Sequence, residues 1–235
     1  LQSVGASVSG IVFNPFAVGR AVLTKRQKEL GVLLLDLGAG TSSFVVYEEN
    51  KPLYAKSVPI GSDHISHDIA IGLKINVDHA EKLKRSFGSA ILKGASRRDQ
   101  IKLSEVDPSL SEEVSRRFLN EIIETRVAEI IDIINNEFKP LKNRFQFPAG
   151  VVLTGGGVKL DGISDTVKHS LKLPVQIGLP NINDLEIANP THETLIDDPE
   201  FSAAIGLVML CRDESKSRSL NMLDSFRKVL KNLIP

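Results

Sequence analysis

The stretch from Gly31 to Asp36 is an unbroken apolar run that closes on a carboxylate and a glycine-bearing turn, and no other segment of the 235-residue chain constrains the fold as tightly. A strand apolar on both faces belongs inside a sheet covered by helices. Two more runs follow at once, Ser43 to Tyr47 and Pro52 to Val58, and Glu49-Asn50 between them suits a tight hairpin. The sequence therefore predicts three adjacent strands, the first of them buried.

Upstream, Val8 to Phe13 is apolar and β-branched and predicts a strand, after which Asn14-Pro15 opens a helix reaching Leu23. From Gly61 the period becomes helical, with Ile65, Ile69 and Leu73 on one face. Asn76 or Asp78 caps a second helix carrying Ala80, Leu83 and Phe87. Within Ser89 to Pro108, Ile91-Leu92 and Ile101 to Leu103 predict short strands. Ser111 to Lys139 reads as one long helix, with Ser111 near its N-cap, Glu112 and Glu113 in its first turn, and Pro140 as its stop. Its apolar face is Val114, Phe118, Ile122, Ile123, Val127, Ile130 and Ile134. Gly150 to Thr154, Gly162 to Leu171 and Val175 to Ile177 then form a β-α-β unit. Pro199 to Leu210 is an apolar helix, Arg212 to Ser219 a polar linker, and Asn221 to Ile234 an amphipathic segment.

Lys+Arg and Asp+Glu are both 29, so no global basic field collects nucleic acid, and no nucleic-acid partner is expected. The lone Cys211 forms no intrachain disulfide, and no Cys/His cluster has zinc spacing. His64 and His67, one helical turn apart without a third ligand in sequence, read as a surface or satisfied pair. The run Ala203 to Leu210 is far short of the roughly 20 residues that span a bilayer. An opening at Leu1, with neither Met nor a signal-like pattern, reads as a fragment.

Asp36-Leu37-Gly38-Ala39-Gly40-Thr41-Ser42 lies between two predicted strands. Its glycines let the backbone approach a phosphate, Thr41 and Ser42 supply hydroxyls, and Asp36 would hold a hydrated Mg²⁺. By itself such an acid-plus-glycine turn is a plain tight hairpin more often than a phosphate site. Thr154-Gly155-Gly156-Gly157 ends a strand before a helix, where bare backbone lies against a nucleotide, although a turn tuned only for packing has the same appearance. Glu81, Lys84 and Arg85 stand at i, i+3 and i+4, placed to grip a ribose and cover a purine, or to form a solvated ion-pair face.

Taken in this order, these pieces resemble the second half of the actin-like ATPase superfamily. Asp36 to Ser42 is similar to its second phosphate motif, Glu81, Lys84 and Arg85 to its purine-nucleoside helix, and Thr154 to Gly157 to its adenosine motif. Within the superfamily the chain resembles the FtsA family of bacterial cell division through Leu35 to Thr41, Pro59 to Ile65, Asp68-Ile69-Ala70 and Val152 to Gly157.

The resemblance implies an α/β fold: an actin-like, ribonuclease H-like nucleotide-binding lobe with an inserted helix-rich subdomain and most of the first lobe missing. Residues 1–29 would be a remnant of the first lobe, 30–60 and 149–212 the nucleotide-binding core, 61–148 the insert, and 213–235 a linker and membrane-targeting helix. It implies ATP and Mg²⁺ as cofactors, bound by Asp36, Gly38, Ala39, Gly40, Thr41, Ser42, Glu81, Lys84, Arg85, Gly155, Gly156 and Gly157. Asn14 stands where the family often has an acid that helps place the attacking water, so at most weak ATPase activity is expected, and none from this segment alone. Ser43 stands where an Asp is common.

The partners implied are the FtsZ C-terminal tail on the helical insert, further copies in actin-like filaments, other division proteins and the anionic cytoplasmic face of the inner membrane at the division site. Leu223, Phe226, Leu230, Leu233 and Ile234 would rest in that membrane, with Arg227, Lys228 and Lys231 on its headgroups. A PilM-type pilus adaptor and a sugar or acetate kinase share the motifs and are the alternatives.

Overall fold

The computed structural model describes residues 5, 8, 10–92, 98–142, 145–183, 185 and 196–214. Its centre is a five-stranded sheet built from β1 (Val32–Leu37), β2 (Ser42–Glu48), β3 (Lys51–Val58), β6 (Val151–Thr154) and β7 (Val175–Ile177), in the order β3-β2-β1-β6-β7. β1 pairs antiparallel with β2 (Leu35 opposite Phe44) and parallel with β6 (Leu33 opposite Val151), and β7 lies parallel outside β6. The Glu49-Asn50 turn has φ of 51° and 62°, the left-handed pair that joins two twisted antiparallel strands directly.

The alternation of side chains along the strands divides the core in two. Leu33, Leu35, Leu37, Phe44, Val46, Val151 and Leu153 face one side, where they meet α3 (Ser62–Leu73), α4 (Val77–Phe87), α5 (Arg116–Lys142) and α6 (Ile163–Leu171). Val32, Leu34, Val45, Tyr47 and Val152 face the other, against α1 (Asn14–Val22) and a helix over residues 202–214, α7. Burial of this order, worth about 1.5–3 kcal/mol per large side chain, is why β1 tolerates almost no polar residue.

A short helix α2 (Lys25–Leu30), closed by a Thr24/Gln27 capping box, returns the chain to β1. At the other side Gly206 of α7 packs so tightly on α1 that a Cβ there would lie 1.8 Å from the Ala17 carbonyl oxygen. Arg20 of α1 clasps Asp213 of α7 through Nε and Nη2, at 2.7 and 3.4 Å.

Several expectations are corrected. Residues 8 and 10–13 form no strand: no described strand runs beside them, and Ile11 is 94% exposed. The long helix begins at Arg116, because Glu113–Ser115 is β5, paired antiparallel with β4 (Gln100–Lys102), so Ser111, Glu112 and Glu113 are neither its cap nor its first turn. Its buried stripe runs through Leu119, Ile123, Val127, Ile131, Ile134 and Phe138, while Phe118 is exposed. Pro140 does not stop it either, since a proline in the last turn forfeits few helical bonds and the helix reaches Lys142.

Helix also runs through Arg212 to residue 214, where a linker was expected, and Ile91-Leu92 is not a strand, although Ser89 forms an isolated bridge with Asp161. Residues 221–235, with the expected membrane face, lie outside the described residues.

Candidate nucleotide-binding site

β1 and β6 are parallel neighbours with Asp36 beside Thr154, so the turns that follow them open at the same edge of the sheet. There a cleft of about 660 Å³ is walled by Asp36 to Ala39, Ser42, Gly61 to Asp63, Glu81, Lys84, Arg85, Gly155 to Gly157, Lys159 and Glu200. That is ample for a nucleotide. The two glycine turns and the α4 triple, far apart in sequence, meet here.

The first turn is tight: the Gly38 N–H donates to the Thr41 carbonyl at 3.0 Å. Ala39, Gly40 and Thr41 are exposed, and Gly40 and Thr41 do not line the cleft wall. Ser42 is fully buried, and its hydroxyl is spent on the Ile60 carbonyl at 2.7 Å, tying β2 to the segment before α3. Ser43, whose role the sequence left unassigned, donates to Ser57 Oγ across β2 and β3 at 3.0 Å.

Asp36 ends β1 at the floor of the cleft. Burial pushes its carboxyl up to about 6, against a smaller lowering by the Asn14 amide, which donates to Oδ2 at 3.2 Å. A half-buried carboxylate whose one described side-chain partner is neutral suits a hydrated divalent cation.

In the second turn Gly155 has φ +89°, and a Cβ there would lie 2.3 Å from Asp36 Oδ1 and 2.6 Å from the Leu37 carbonyl. Glycine at 155 is thus required by the strand ends themselves. At Gly156 a Cβ would meet only the flexible Glu200 side chain, at 3.2 Å, so this is the bare position that faces the open cleft.

On α4, Glu81 is half-buried and Arg85 exposed, whereas Lys84 is buried, with its ammonium bonded to Ser62 O, Ser66 Oγ and Glu81 Oε2 at 3.0, 2.9 and 2.6 Å. Burial pushes the Glu81 carboxyl up, but Lys84 and Ser66 outweigh it and hold it below its usual range.

Sequence reasoning missed the rim. Lys159, just after the glycine turn, pairs with Asp198 and Glu200 ahead of α7 at 2.6 and 3.0 Å, closing one end of the cleft. Thr154 and Ser202 share a buried hydroxyl bond of 2.9 Å that seats the start of α7 on the end of β6. His64 Nδ1 accepts from the Gly61 N–H and His67 Nδ1 pairs with the Asp63 carbonyl, so both rings have local partners.

The mixed sheet with helices on both faces and a glycine-walled cleft at its strand ends has an actin-like fold, as comparison with solved structures shows. MreB5 of Spiroplasma citri bound to ADP matches with TM-score 0.70 at 17% identity, over 93% of this chain and 64% of that one. A PilM–PilN type IV pilus biogenesis complex matches with TM-score 0.63 at 18% identity, over 88% and 54%. At such identities the likeness is one of fold. The family model for cell division protein FtsA matches residues 33–206, and the chain belongs to the FtsA family. Cell division protein FtsA of Pseudomonas aeruginosa is 31% identical over 89% of this chain and 49% of its own length, and that of Borreliella burgdorferi 33% identical over 96% and 53%. The chain spans about half the length of the curated relatives it matches.

Proposed function

We propose that this chain is the nucleotide-binding part of an actin-like division protein that binds ATP with Mg²⁺, polymerises, and holds FtsZ filaments at the cytoplasmic face of the inner membrane. The observation that carries the reading is the meeting of two glycine turns at the ends of adjacent parallel strands, β1 and β6, in a chain of the FtsA family.

The residues fit the ligand. Exposed backbone at Ala39 on the cleft wall, with Gly40 next to it on the turn just outside that wall, offers N–H groups to phosphate oxygens, Gly156 leaves a bare surface for the nucleoside, and Glu81 and Arg85 stand at the cleft wall for ribose and base. Asp36 presents hard oxygen to a hydrated Mg²⁺, which when bound would neutralise phosphate charge. The Asn14 carboxamide cannot take a proton from water, so hydrolysis is weak at most. The FtsZ tail would dock on the helical segment after β3, residues 62–147, other division proteins would join the assembly, and the amphipathic face from Leu223 to Ile234 would rest on anionic lipid.

The test is Gly156→Leu in the full-length protein, which fills open cleft without the positive φ or strand contacts of Gly155. ATP binding measured by calorimetry should be lost while circular dichroism stays unchanged. Undiminished affinity in a folded variant refutes the site.

A further inference from the structure

The cleft changes character with depth. Its outer walls carry bare glycine backbone and charged side chains, whereas its inner end is bordered by Ile65 of α3, Val127, Ile130 and Ile131 of α5, and Leu160 and Ile163 at the entry to α6. Val127, Ile130 and Ile131 stand at i, i+3 and i+4, on one face of their helix. Arg126 and Glu129, which alternate with them, turn elsewhere: Arg126 bonds to Asp68 of α3 and to Glu129. Ile65, Val127, Ile130, Ile131 and Ile163 are each at most 4% exposed although all border the cleft, so the space beside them is enclosed.

This end has little to offer a polar ligand. Among the described residues, the buried polar side chains on the cleft wall are Ser42, Lys84 and Ser202. Ser42 donates to the Ile60 carbonyl and Ser202 to that of Pro199, and the Lys84 ammonium spends its three protons on Ser62 O, Ser66 Oγ and Glu81 Oε2. A phosphate, ribose or base edge moved inward would exchange water for side chains that have no proton left to give, which is costly. A hydrocarbon loses nothing by the same move, and enclosed aliphatic space takes small apolar molecules for that reason.

We propose that the inner end of the cleft is a second ligand subsite, for a small uncharged aromatic or aliphatic molecule, lying between α3, α5 and α6 and separate from the seat of the nucleotide. Its occupant would touch the helical segment after β3 and the sheet-bearing core at once, because Ile65 and the α5 residues belong to the first and Leu160 and Ile163 to the second. The inference goes beyond the ATP reading and does not depend on it.

The experiment uses the full-length protein with labelled isoleucine methyl groups and toluene as the probe, followed by NMR with and without saturating ATP. Toluene should shift the methyls of Ile65, Ile130, Ile131 and Ile163 saturably, leave Ile205 on the opposite face of the sheet unmoved, and do both equally well with ATP bound. Val127→Phe fills the seat and should weaken toluene at least about tenfold, with ATP affinity changed less than about twofold. If that variant does not fold, Val127→Ile, one methylene larger, decides in its place by a loss of about threefold. Shifts that do not saturate, or that reach Ile205 alike, overturn the proposal as adventitious partitioning. Loss of the shifts on adding ATP overturns it too, by making this end part of the nucleotide's seat. So does toluene affinity that the Val127 variants leave unaltered. If the unaltered protein fails to bind ATP, the reading of the cleft falls, while the toluene titration without nucleotide still decides the subsite.

Discussion

Asn14 Nδ2 lies 3.2 Å from Asp36 Oδ2, joining the first residue of α1 to the end of β1. The amide lowers the carboxyl only slightly, so burial prevails and Asp36 titrates near 6 in the folded protein against 3.8 as a free side chain. The folded state therefore holds the proton more tightly than the unfolded chain. Asp36 destabilises the nucleotide-free protein above about pH 6, and the penalty fades as pH falls toward 4.

Asp36→Asn, which keeps the shape and an acceptor for Asn14, should stabilise the nucleotide-free protein at pH 7.5 by about 2–3 kcal/mol. The gain should shrink toward pH 4, where the native carboxyl is neutral as well. Thermal unfolding across that range checks it, and equal melting temperatures at pH 7.5 would refute it.

Arg126 of α5 grips Asp68 of α3 in a two-pronged pair, Nε to Oδ2 at 2.5 Å and Nη2 to Oδ1 at 2.8 Å, with both side chains partly buried. Arg126→Ala should cost about 1–2 kcal/mol, more than an ordinary surface pair. Denaturant midpoints for each single variant and the Arg126→Ala/Asp68→Ala double variant measure the coupling, which should approach zero only if the pair is ornamental.

Lys159 joins the glycine turn to the start of α7 across the end of the cleft. Burial pulls its ammonium down, but bonds to Asp198 and Glu200 outweigh burial and hold it above its usual value. An ion pair this exposed adds less than about 1 kcal/mol to stability. Lys159→Met should thus leave the melting temperature nearly unchanged yet speed nucleotide release a few-fold, as read by stopped-flow displacement. Unchanged release would mean that the rim does not gate the cleft.

In the proposed membrane-binding segment, Leu223, Phe226, Leu230 and Leu233 recur in the sequence at the spacing that one face of a helix would require. So short a stripe should hold one copy on anionic vesicles only weakly, and polymers firmly, because linked copies rebind before their neighbours leave. Co-sedimentation should fall sharply with Phe226→Glu, and a monomeric form should sediment less than a polymer-forming one.

The two central strands, β1 and β6, were legible because Leu33 to Leu35 and Val151 to Leu153 are apolar on both faces, a demand that few other structures make. The two glycine turns were legible for the same reason, at the ends of those strands. What escaped depended on partners far along the chain. Val114 fits a helical stripe as well as a strand, and only Ile101, its cross-strand partner, decides between them. Lys84 reads as an exposed helix lysine until Ser62 and Ser66 of another helix surround it. Lys159 carries no local sign of Asp198 and Glu200. Val8 to Phe13 has the composition of a strand, but composition does not supply a neighbour to pair with.

The contact of Gly206 with the Ala17 carbonyl, reinforced by the Arg20–Asp213 clasp, leaves α1 and α7 no room to slide past one another. Tension applied at the C-terminal end of α7 is therefore borne as shear against α1, and α1 begins at Asn14, on the carboxylate of Asp36. Whatever tugs the chain beyond residue 214 has a two-helix lever on the floor of the cleft.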